Sequence, residues 1–440
     1  MNLYKSFIPN KGLKKIFTKF FREHKNLEEN IFALGILFLA SAPFIASILL
    51  IYPMTIGLLK RRFEILKDKY NYPLIIASAV MIIKCVKESY YPSLSDPSWN
   101  NNLNWIGILN WLPLFLCYVG FQPYLSNIKQ RLLIAKFFLI GTIPVLISGI
   151  SQYFFNIYGP FQTMRGLIIW YQRPIDFDNG SGLTSLFNNP NYTGTWLTMI
   201  WPFCLAFLLI NKRNINNKRF ILNLIIAFLF VLCTVLTNSR GAWLNLVVPI
   251  PIVLGKITLV WLIPLLILLL TSIAFTFIPI IPTEIQKTFQ AIVPEKIWIK
   301  FSEISINLLN FPRLRIWNNA IEFICEKPFL GWGAASFPIL FTTSTGLFNN
   351  HSHNLFLELS LNYGLFSAIL IFSNITFLIS YSFIKIFKDT KSKKVIIDKA
   401  WWSSALIFLI SHTYDILYYD LRISISSWIF LAGLRCIIYK

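Results

Sequence analysis

The sequence is poor in charged residues. Only 13% of its 440 residues are Asp, Glu, Lys or Arg, about half of the roughly 25% found in soluble chains. Hydrophobic residues make up 55% and form long apolar stretches from one end to the other, which only a membrane leaves unburied. These proportions exclude a soluble enzyme, a fibrous protein and a disordered chain. They predict an all-α, polytopic integral membrane protein.

Acidic residues are scarcer than basic ones. The chain has 19 Asp and Glu against 40 Lys and Arg, a net charge of +21. In a soluble protein this excess would suggest nucleic-acid binding. Here the basic residues lie in short segments between apolar stretches, the arrangement that sets orientation in membrane proteins. We therefore expect contacts with membrane lipids and no nucleic-acid partner.

Cysteine is also infrequent. The six cysteines are scattered and form no CxxC pair, so the sequence predicts neither a disulfide framework nor a metal knuckle. We do not expect a cleavable signal, because no small-residue cleavage site follows the first apolar stretch. Residues 11–22 instead predict an amphipathic helix on the membrane surface, with phenylalanines on one face and lysines on the other.

Eleven apolar stretches predict the membrane-spanning segments. Basic clusters near 60–69, 212–219 and 385–394 satisfy the positive-inside rule when all three lie in the cytoplasm. The basic N-terminal arm then lies there too only if 31–58 crosses twice, as a hairpin of short helices broken near Ser41–Pro43. The sequence thus predicts about 12 crossings with both termini cytoplasmic. It divides the chain into an N-terminal cytoplasmic arm (1–30), a first group of transmembrane helices (31–153) and a larger membrane domain (154–440). The stretches are at about 31–58, 72–88, 103–121, 131–153, 194–211, 220–237, 241–255, 257–281, 354–384, 400–416 and 421–438.

Two long loops, about 154–193 and 282–353, lie outside in this topology. Loops of this length are usually functional or disordered. In the second, Leu314, Trp317 and Ile321 recur at helical spacing, so we expect helices lying on the outer face. Lys84 is the main charge within a predicted span, and we expect its long side chain to snorkel to the interface.

Arginines at two membrane boundaries are candidate anion-binding residues. Arg240 lies in a short turn between two spans, and Arg313 and Arg315 open the amphipathic segment of the second loop. A guanidinium group can hold a phosphate with two hydrogen bonds. Structural roles are equally open: Arg240 could snorkel at a helix end and Arg315 could be a solvated helix charge.

Two of the four histidines, His351 and His353, occur together where the second loop enters the membrane. Asn354 follows and suits a helix N-cap, which would place the histidines at the positive end of a helix dipole. Imidazole is the side chain best suited to proton transfer near neutral pH. A general base and a structural His-x-His are both open. A zinc site is a weaker alternative, because no third ligand has suggestive spacing.

The first long loop ends at Asn-Pro-Asn191, which indicates a rigid turn that opens a helix. The same loop contains Asp176-Phe-Asp178, which looks like the metal and nucleotide-diphosphate motif of sugar transferases. Nucleotide sugars are absent outside the cell, so this interpretation is weak. Arg240, Arg315 and His353 all fall on the outer side. Two cations and a base there suit a lipid-anchored diphosphate.

Several motifs together resemble the O-antigen ligase and polymerase superfamily, over about residues 180–435. The resemblance implies a GT-C-like fold and a glycosyltransferase that uses undecaprenyl-diphosphate-linked glycans, with no metal, nucleotide sugar or other cofactor. Members often have an arginine before the Asn-Pro-Asn element, where this chain has none; Arg173, further upstream, could substitute. The motifs are Leu186-Phe-Asn-Asn-Pro-Asn191, Asn238-Ser-Arg-Gly-Ala-Trp243, Arg315-Ile-Trp317, Pro328-Phe-Leu-Gly-Trp-Gly333, His353-Asn-Leu-Phe-Leu-Glu358, Tyr363-Gly-Leu365 and Ser411-His-Thr-Tyr-Asp415.

The resemblance also implies roles for single residues. His353 would deprotonate the acceptor hydroxyl, while Arg240 and Arg315 would stabilise the departing diphosphate. His412 and Asp415 are left outside this set, although they could pack near it. The residues expected to surround the substrate are His351, Asn354, Arg313 and Asn191.

The implied location is the plasma (inner) membrane, with the active site on the periplasmic face. The donor would be an undecaprenyl-diphosphate-linked glycan and the acceptor a lipid- or glycan-linked hydroxyl. Ligation, polymerisation and protein glycosylation are not distinguished. The same superfamily includes proteins described as inorganic-carbon transporters, so a solute transporter of the bicarbonate type is the alternative. A non-catalytic partner of a glycan export complex is a third.

Overall fold

The computed structural model describes residues 26–94, 99–176, 181–211, 218–293, 295, 298–299, 302, 312–388 and 394–439. The predicted surface helix at 11–22 lies outside these ranges, as do Asp178 and parts of the basic clusters near 212–219 and 385–394. Within them the fold is helical apart from one small antiparallel hairpin in the first long loop, β1 (Phe161–Thr163) and β2 (Ile168–Trp170). The prediction of an all-α polytopic membrane protein is confirmed.

The first apolar stretch forms two helices, as predicted. The chain breaks at 39–42, and Pro43 opens the second helix, where a missing N–H costs nothing. The ends meet, since Lys60 Nζ lies 3.3 Å from Glu28 Oε1, so the two helices form an antiparallel hairpin. The helices of this half are α1 (Leu27–Phe38), α2 (Pro43–Arg61), α3 (Tyr72–Tyr90), α4 (Leu103–Ile108), α5 (Leu112–Gly120) and α6 (Ile128–Phe155).

The second half contains the helix expected in the second long loop. This helix, α13 (Pro312–Glu326), buries Ala320, Phe323 and Ile324 against Phe337 and Leu361, forming a small core separate from the main one. The helices here are α7 (Pro190–Asn211), α8 (Lys218–Leu236), α9 (Arg240–Val247), α10 (Pro249–Leu254), α11 (Leu259–Ala274), α12 (Thr283–Ile292), α13 (Pro312–Glu326), α14 (Phe337–Thr345), α15 (Leu355–Tyr363), α16 (Leu365–Lys388), α17 (Lys394–Tyr414) and α18 (Leu421–Ile438).

Seven helical segments among the described residues are long and apolar enough to cross a membrane. A crossing requires about 20 apolar residues, and two shorter apolar helices, Phe220–Leu236 and Arg240–Leu254, fall below that length. The total of about 12 crossings therefore stays a prediction. The seven are Pro43–Arg61, Leu103–Gly120, Ile128–Phe155, Pro190–Ile210, Lys256–Ala274, Leu365–Lys388 and Leu421–Ile438.

The centre of the bundle is aromatic. Trp401 of α17 packs edge-on against Phe203 of α7 and Phe430 of α18. Gly433 of α18 allows this close approach, because a Cβ there would collide with the Trp401 ring. This packing fixes α17 against α7, and the carboxyl end of α17 therefore lies beside the amino end of α7.

Lys84 does not snorkel, contrary to the sequence-based expectation. Its side chain is fully buried and its Nζ lies 2.5 Å from Oε1 of Glu88, which is also buried. The two residues are four apart on α3, so they share one face of the helix. Because the counter-charge is available inside the protein, the ammonium group stays there.

Candidate functional site

The His-Ser-His loop is held rigidly at the start of α15. Ser352 is buried, and its backbone N–H donates to Glu358 Oε2 at 3.0 Å. His353 has a φ of +53°, a left-handed conformation that is uncommon for residues other than glycine. Asn354 then caps the helix as predicted, its Oδ1 accepting from Leu357 N–H at 3.1 Å. The imidazole of His353 is therefore held in a fixed position.

Asp415, the first residue after α17, contacts this loop. His353 Nδ1 lies 3.1 Å from Asp415 Oδ1, and His351 Nε2 lies 4.0 Å from the same oxygen. Ile416 N–H donates to Oδ1 at 2.9 Å. The amide of Asn191 donates to Oδ2 at 3.0 Å. Three parts of the sequence thus meet around one carboxylate.

Asn191 is positioned by the turn that the sequence predicts. Helix α7 begins at Pro190, and Asn189 Oδ1 accepts from Asn191 N–H at 2.8 Å. This local hydrogen bond, typical of an Asx turn, leaves the Asn191 side-chain amide directed at Asp415. Asn191 thus takes part both in the turn that opens α7 and in the contact with the Asp415 carboxylate.

Hydrogen bonding defines which nitrogen of His353 is basic. A carboxylate can only accept hydrogen bonds, so its contact with Nδ1 requires the proton to be on Nδ1. Nε2 then carries the lone pair and can accept a proton. The same orientation by a carboxylate is used in Ser-His-Asp enzymes. The side chain of His353 is 27% exposed, which leaves it accessible to a substrate.

The two other titratable groups of the cluster have shifted pKa values. Burial lowers the pKa of His351 from 6.5 to about 4, with further lowering by His353 and Arg313 that outweighs the opposing effect of Asp415. Burial acts to raise the pKa of Asp415, but the hydrogen bond and charge of His353 lower it overall. At neutral pH the cluster therefore contains an ionised carboxylate and a neutral His351.

The arginines are placed differently relative to this cluster. Arg313 is half-buried, and its charge acts on His351. Arg240 is exposed at the first residue of α9. The next residue, Gly241, packs so tightly on Tyr414 that a Cβ there would lie 2.2 Å from the ring. Arg240 thus directly precedes Gly241, which contacts Tyr414, the residue before Asp415.

Arg315 is exposed on α13, two residues beyond Arg313. Residues two apart on a helix do not share a face. Its carbonyl accepts from Asn319, and among the described residues no hydrogen bond or ion pair connects its guanidinium group to the histidines. Its predicted role at the diphosphate stays a prediction.

The remaining sequence candidates are engaged within the protein. Asn354 Nδ2 donates to the carbonyl of Thr413 at 3.1 Å, so this residue ties the His-Ser-His loop to the end of α17. The backbone N–H of Arg173 donates to Thr184 Oγ1 at 3.1 Å, which places Arg173 beside the segment before Asn-Pro-Asn. His412 is buried, and its Nδ1 donates to the Phe408 carbonyl at 2.7 Å.

Asp415 is the residue that the sequence-based choice omitted. The only sequence signal was its occurrence in Ser411-His-Thr-Tyr-Asp415, at the polar end of an apolar helix. Its partner His353 is 62 residues away in the chain. The contact depends on how the carboxyl end of α17 packs against the amino end of α15, which local sequence patterns do not reveal.

The cluster also has the chemistry of a metal site. One ligand atom each from His351, His353 and Asp415 lies within 4.8 Å of the others, and two imidazoles with a carboxylate suit zinc. The absence of a third ligand at suggestive spacing argued against zinc in the sequence. In the folded chain Asp415, from a distant segment, offers a third ligand atom beside the two histidines.

Comparison with known proteins places this site in a family context. Residues 224–372, which include α9, α13 and the His-Ser-His loop, match the family model described as O-antigen ligase. Over these residues, about a third of its length, the chain is similar to the O-antigen ligase family. It is also 25% identical over 228 residues to a ComP-specific O-oligosaccharyltransferase of Acinetobacter baylyi, a match that covers 49% of this chain and 37% of that relative. The chain thus spans little more than a third of the length of this relative.

Proposed function

We propose that this O-antigen ligase-like protein transfers or polymerises an undecaprenyl-diphosphate-linked glycan on the outer face of the plasma membrane. The observation that carries the proposal is the His353–Asp415 pair at 3.1 Å. It provides an oriented base next to His351, on which the charge of Arg313 acts. The family match and the oligosaccharyltransferase relative support glycan transfer by a membrane protein.

In the proposed reaction, His353 Nε2 removes the proton from an acceptor hydroxyl. The acceptor oxygen forms a bond to the anomeric carbon of the donor sugar, and the bond from that carbon to the diphosphate oxygen breaks. Asp415 stabilises the imidazolium that forms. Its negative charge is worth more in this partly buried site than in water. Undecaprenyl diphosphate leaves with the electron pair of the broken bond.

The departing diphosphate requires positive charge. The sequence predicts Arg240 and Arg315 for this role, and the closeness of Arg313 to His351 adds a third cation to the proposed clamp. Guanidinium groups suit this role because they remain charged and bind phosphate oxygens in pairs. No metal is assigned a part in this proposal, since the arginines neutralise the leaving group.

The acceptor is a hydroxyl of one of three kinds. Transfer to the lipid A-core would make the protein a ligase, and transfer to another lipid-linked repeat would make it a polymerase. A protein side chain is the third, supported by the name of the relative, an O-oligosaccharyltransferase. Analysis of both surface polysaccharide and glycosylated protein in a deletion strain distinguishes them.

The test is complementation of that deletion strain with the wild type and with His353→Ala. We expect the variant to insert normally and to lose glycan transfer, by about 10²–10⁴-fold for loss of a general base. Glu64→Gln, which alters an exposed carboxylate on a different segment, is the matched control. Unchanged glycan in His353→Ala would refute the proposal. Solute uptake by vesicles containing this variant would instead favour the transporter alternative.

A further inference from the structure

A buried ion pair in the first half of the chain contacts the second long loop. Lys84 Nζ donates to Glu88 Oε1 at 2.5 Å and to the carbonyl of Gly331 at 2.7 Å. Ser93 also contacts the pair, its N–H donating to Glu88 Oε2 at 2.7 Å. Lys84 and Glu88 are both fully buried. The first 150 residues lie outside the matched family region, yet they supply this contact.

The segment that receives Lys84 is bonded to the carboxyl end of α15. Trp332 N–H donates to the Leu361 carbonyl at 2.7 Å, and Gly333 N–H donates to the Asn362 carbonyl at 3.1 Å. Helix α15 has nine residues and is therefore roughly 13 Å long. Its other end follows directly after His353 and its capping residue. A rigid helix thus connects the Lys84 contact to the proposed base.

Further contacts hold the same loop from the same side. Lys327 Nζ donates to the Ser93 carbonyl at 3.2 Å. The N–H of Ala334 donates to Asn104 Oδ1 at 2.8 Å, and its carbonyl accepts from Trp99 Nε1 at 3.1 Å. Residues 327–334 are therefore held at one end by Ser93, which follows α3, and at the other by Trp99 and by Asn104 of α4, with Lys84 bonded to the middle.

We infer that Lys84 and Glu88 are positioning residues, which hold the Gly331 segment and through α15 the His353 imidazole. The inference rests on the proposed function for its catalytic consequence. Buried ion pairs contribute little net stability compared with apolar residues of similar size. The Lys84 ammonium group, however, donates a hydrogen bond to the Gly331 carbonyl, which no apolar side chain could do. The ion pair therefore contributes to the geometry of the Gly331 segment.

The first test measures loop exposure without any activity. Ser352, which is buried, is replaced by Cys in a Cys325→Ser background, and labelling by a membrane-impermeant maleimide is timed in whole cells. We expect faster labelling when Lys84→Met and Glu88→Leu are combined, since Gly331 then loses its donor. The matched control combines Lys60→Met and Glu28→Leu, which remove the exposed pair between α1 and α2. An unchanged labelling rate in the Lys84 variant would overturn the inference.

The second test is kinetic. Because a displacement of about 1 Å can cost about 10²-fold in rate, we expect the apolar double variant to lose about 10- to 100-fold in kcat, with the donor KM unchanged. Lys327→Met is a milder change that removes the Ser93 contact, and it should also lower kcat. It keeps the test possible even if the double variant does not fold. Wild-type kcat in both would overturn the inference. Activity retained in His353→Ala would instead refute the proposed function and leave the labelling result valid.

Discussion

Replacing Asp415 distinguishes orientation of the base from stabilisation of its charge. Asp415 Oδ1 accepts from His353 and from the N–H of Ile416, while Oδ2 accepts from Asn191. In Asp415→Asn, the new NH₂ group cannot replace Oδ1, where it would face two donors. It takes the Oδ2 position, and the amide of Asn191 rotates to accept from it. His353 therefore keeps its proton on Nδ1.

The loss in Asp415→Asn is then only the difference between a charged and a neutral hydrogen bond. That difference is about 1–2 kcal/mol, or about 5- to 30-fold in kcat. Asp415→Ala removes the orientation as well, and we expect a loss of about 10²–10⁴-fold. The assay is transfer from a polyprenyl-diphosphate oligosaccharide by the reconstituted protein, with Glu64→Gln as the control. Equal losses in the two variants would refute the orientation argument, and wild-type kcat in Asp415→Ala would refute the role of the pair.

Three further predictions follow from the same cluster. The pKa of His351 falls from 6.5 to about 4 on folding, so its contribution to stability is lost as the pH drops through that interval. In detergent, the melting temperature of His351→Gln should therefore fall less on acidification than that of the wild type. An equal fall in the two proteins would contradict the shift. Arg240→Gln and Arg313→Gln should each lower kcat by about 10²–10³-fold, whereas Arg62→Gln in the predicted cytoplasmic cluster should not; equal effects would disprove the clamp. Chelators should leave transfer unchanged while excess Zn²⁺ inhibits it by occupying His353 and its neighbours, and activation by Zn²⁺ would show a metal enzyme instead.

Local features of the site were predictable from the sequence. Asn354 caps α15, and Pro190 opens α7, because each residue has a strong intrinsic preference for that position. The helix break before Pro43 followed from the distribution of basic residues. The two helix starts depend on neighbours within a few positions, whereas the helix break depends on the distribution of charge along the whole chain.

Features that depend on packing were not predictable. Asp415 reaches His353 because the end of α17 packs against the start of α15, where Asn354 also bonds to the Thr413 carbonyl. The choice between Arg313 and Arg315 depends on which face α13 presents, and the sequence does not fix that rotation. The Lys84–Glu88 spacing of four residues was visible, but its third partner, Gly331, lies 247 residues from Lys84.

The most direct test of the central claim is a rate measurement on His353. Purified protein is reconstituted in lipid vesicles with a polyprenyl-diphosphate oligosaccharide and a hydroxyl acceptor, in the presence of a chelator. We expect steady transfer by the wild type and a rate at least about 100-fold lower for His353→Ala, with equal amounts of folded protein. Equal rates for the two proteins would contradict the account.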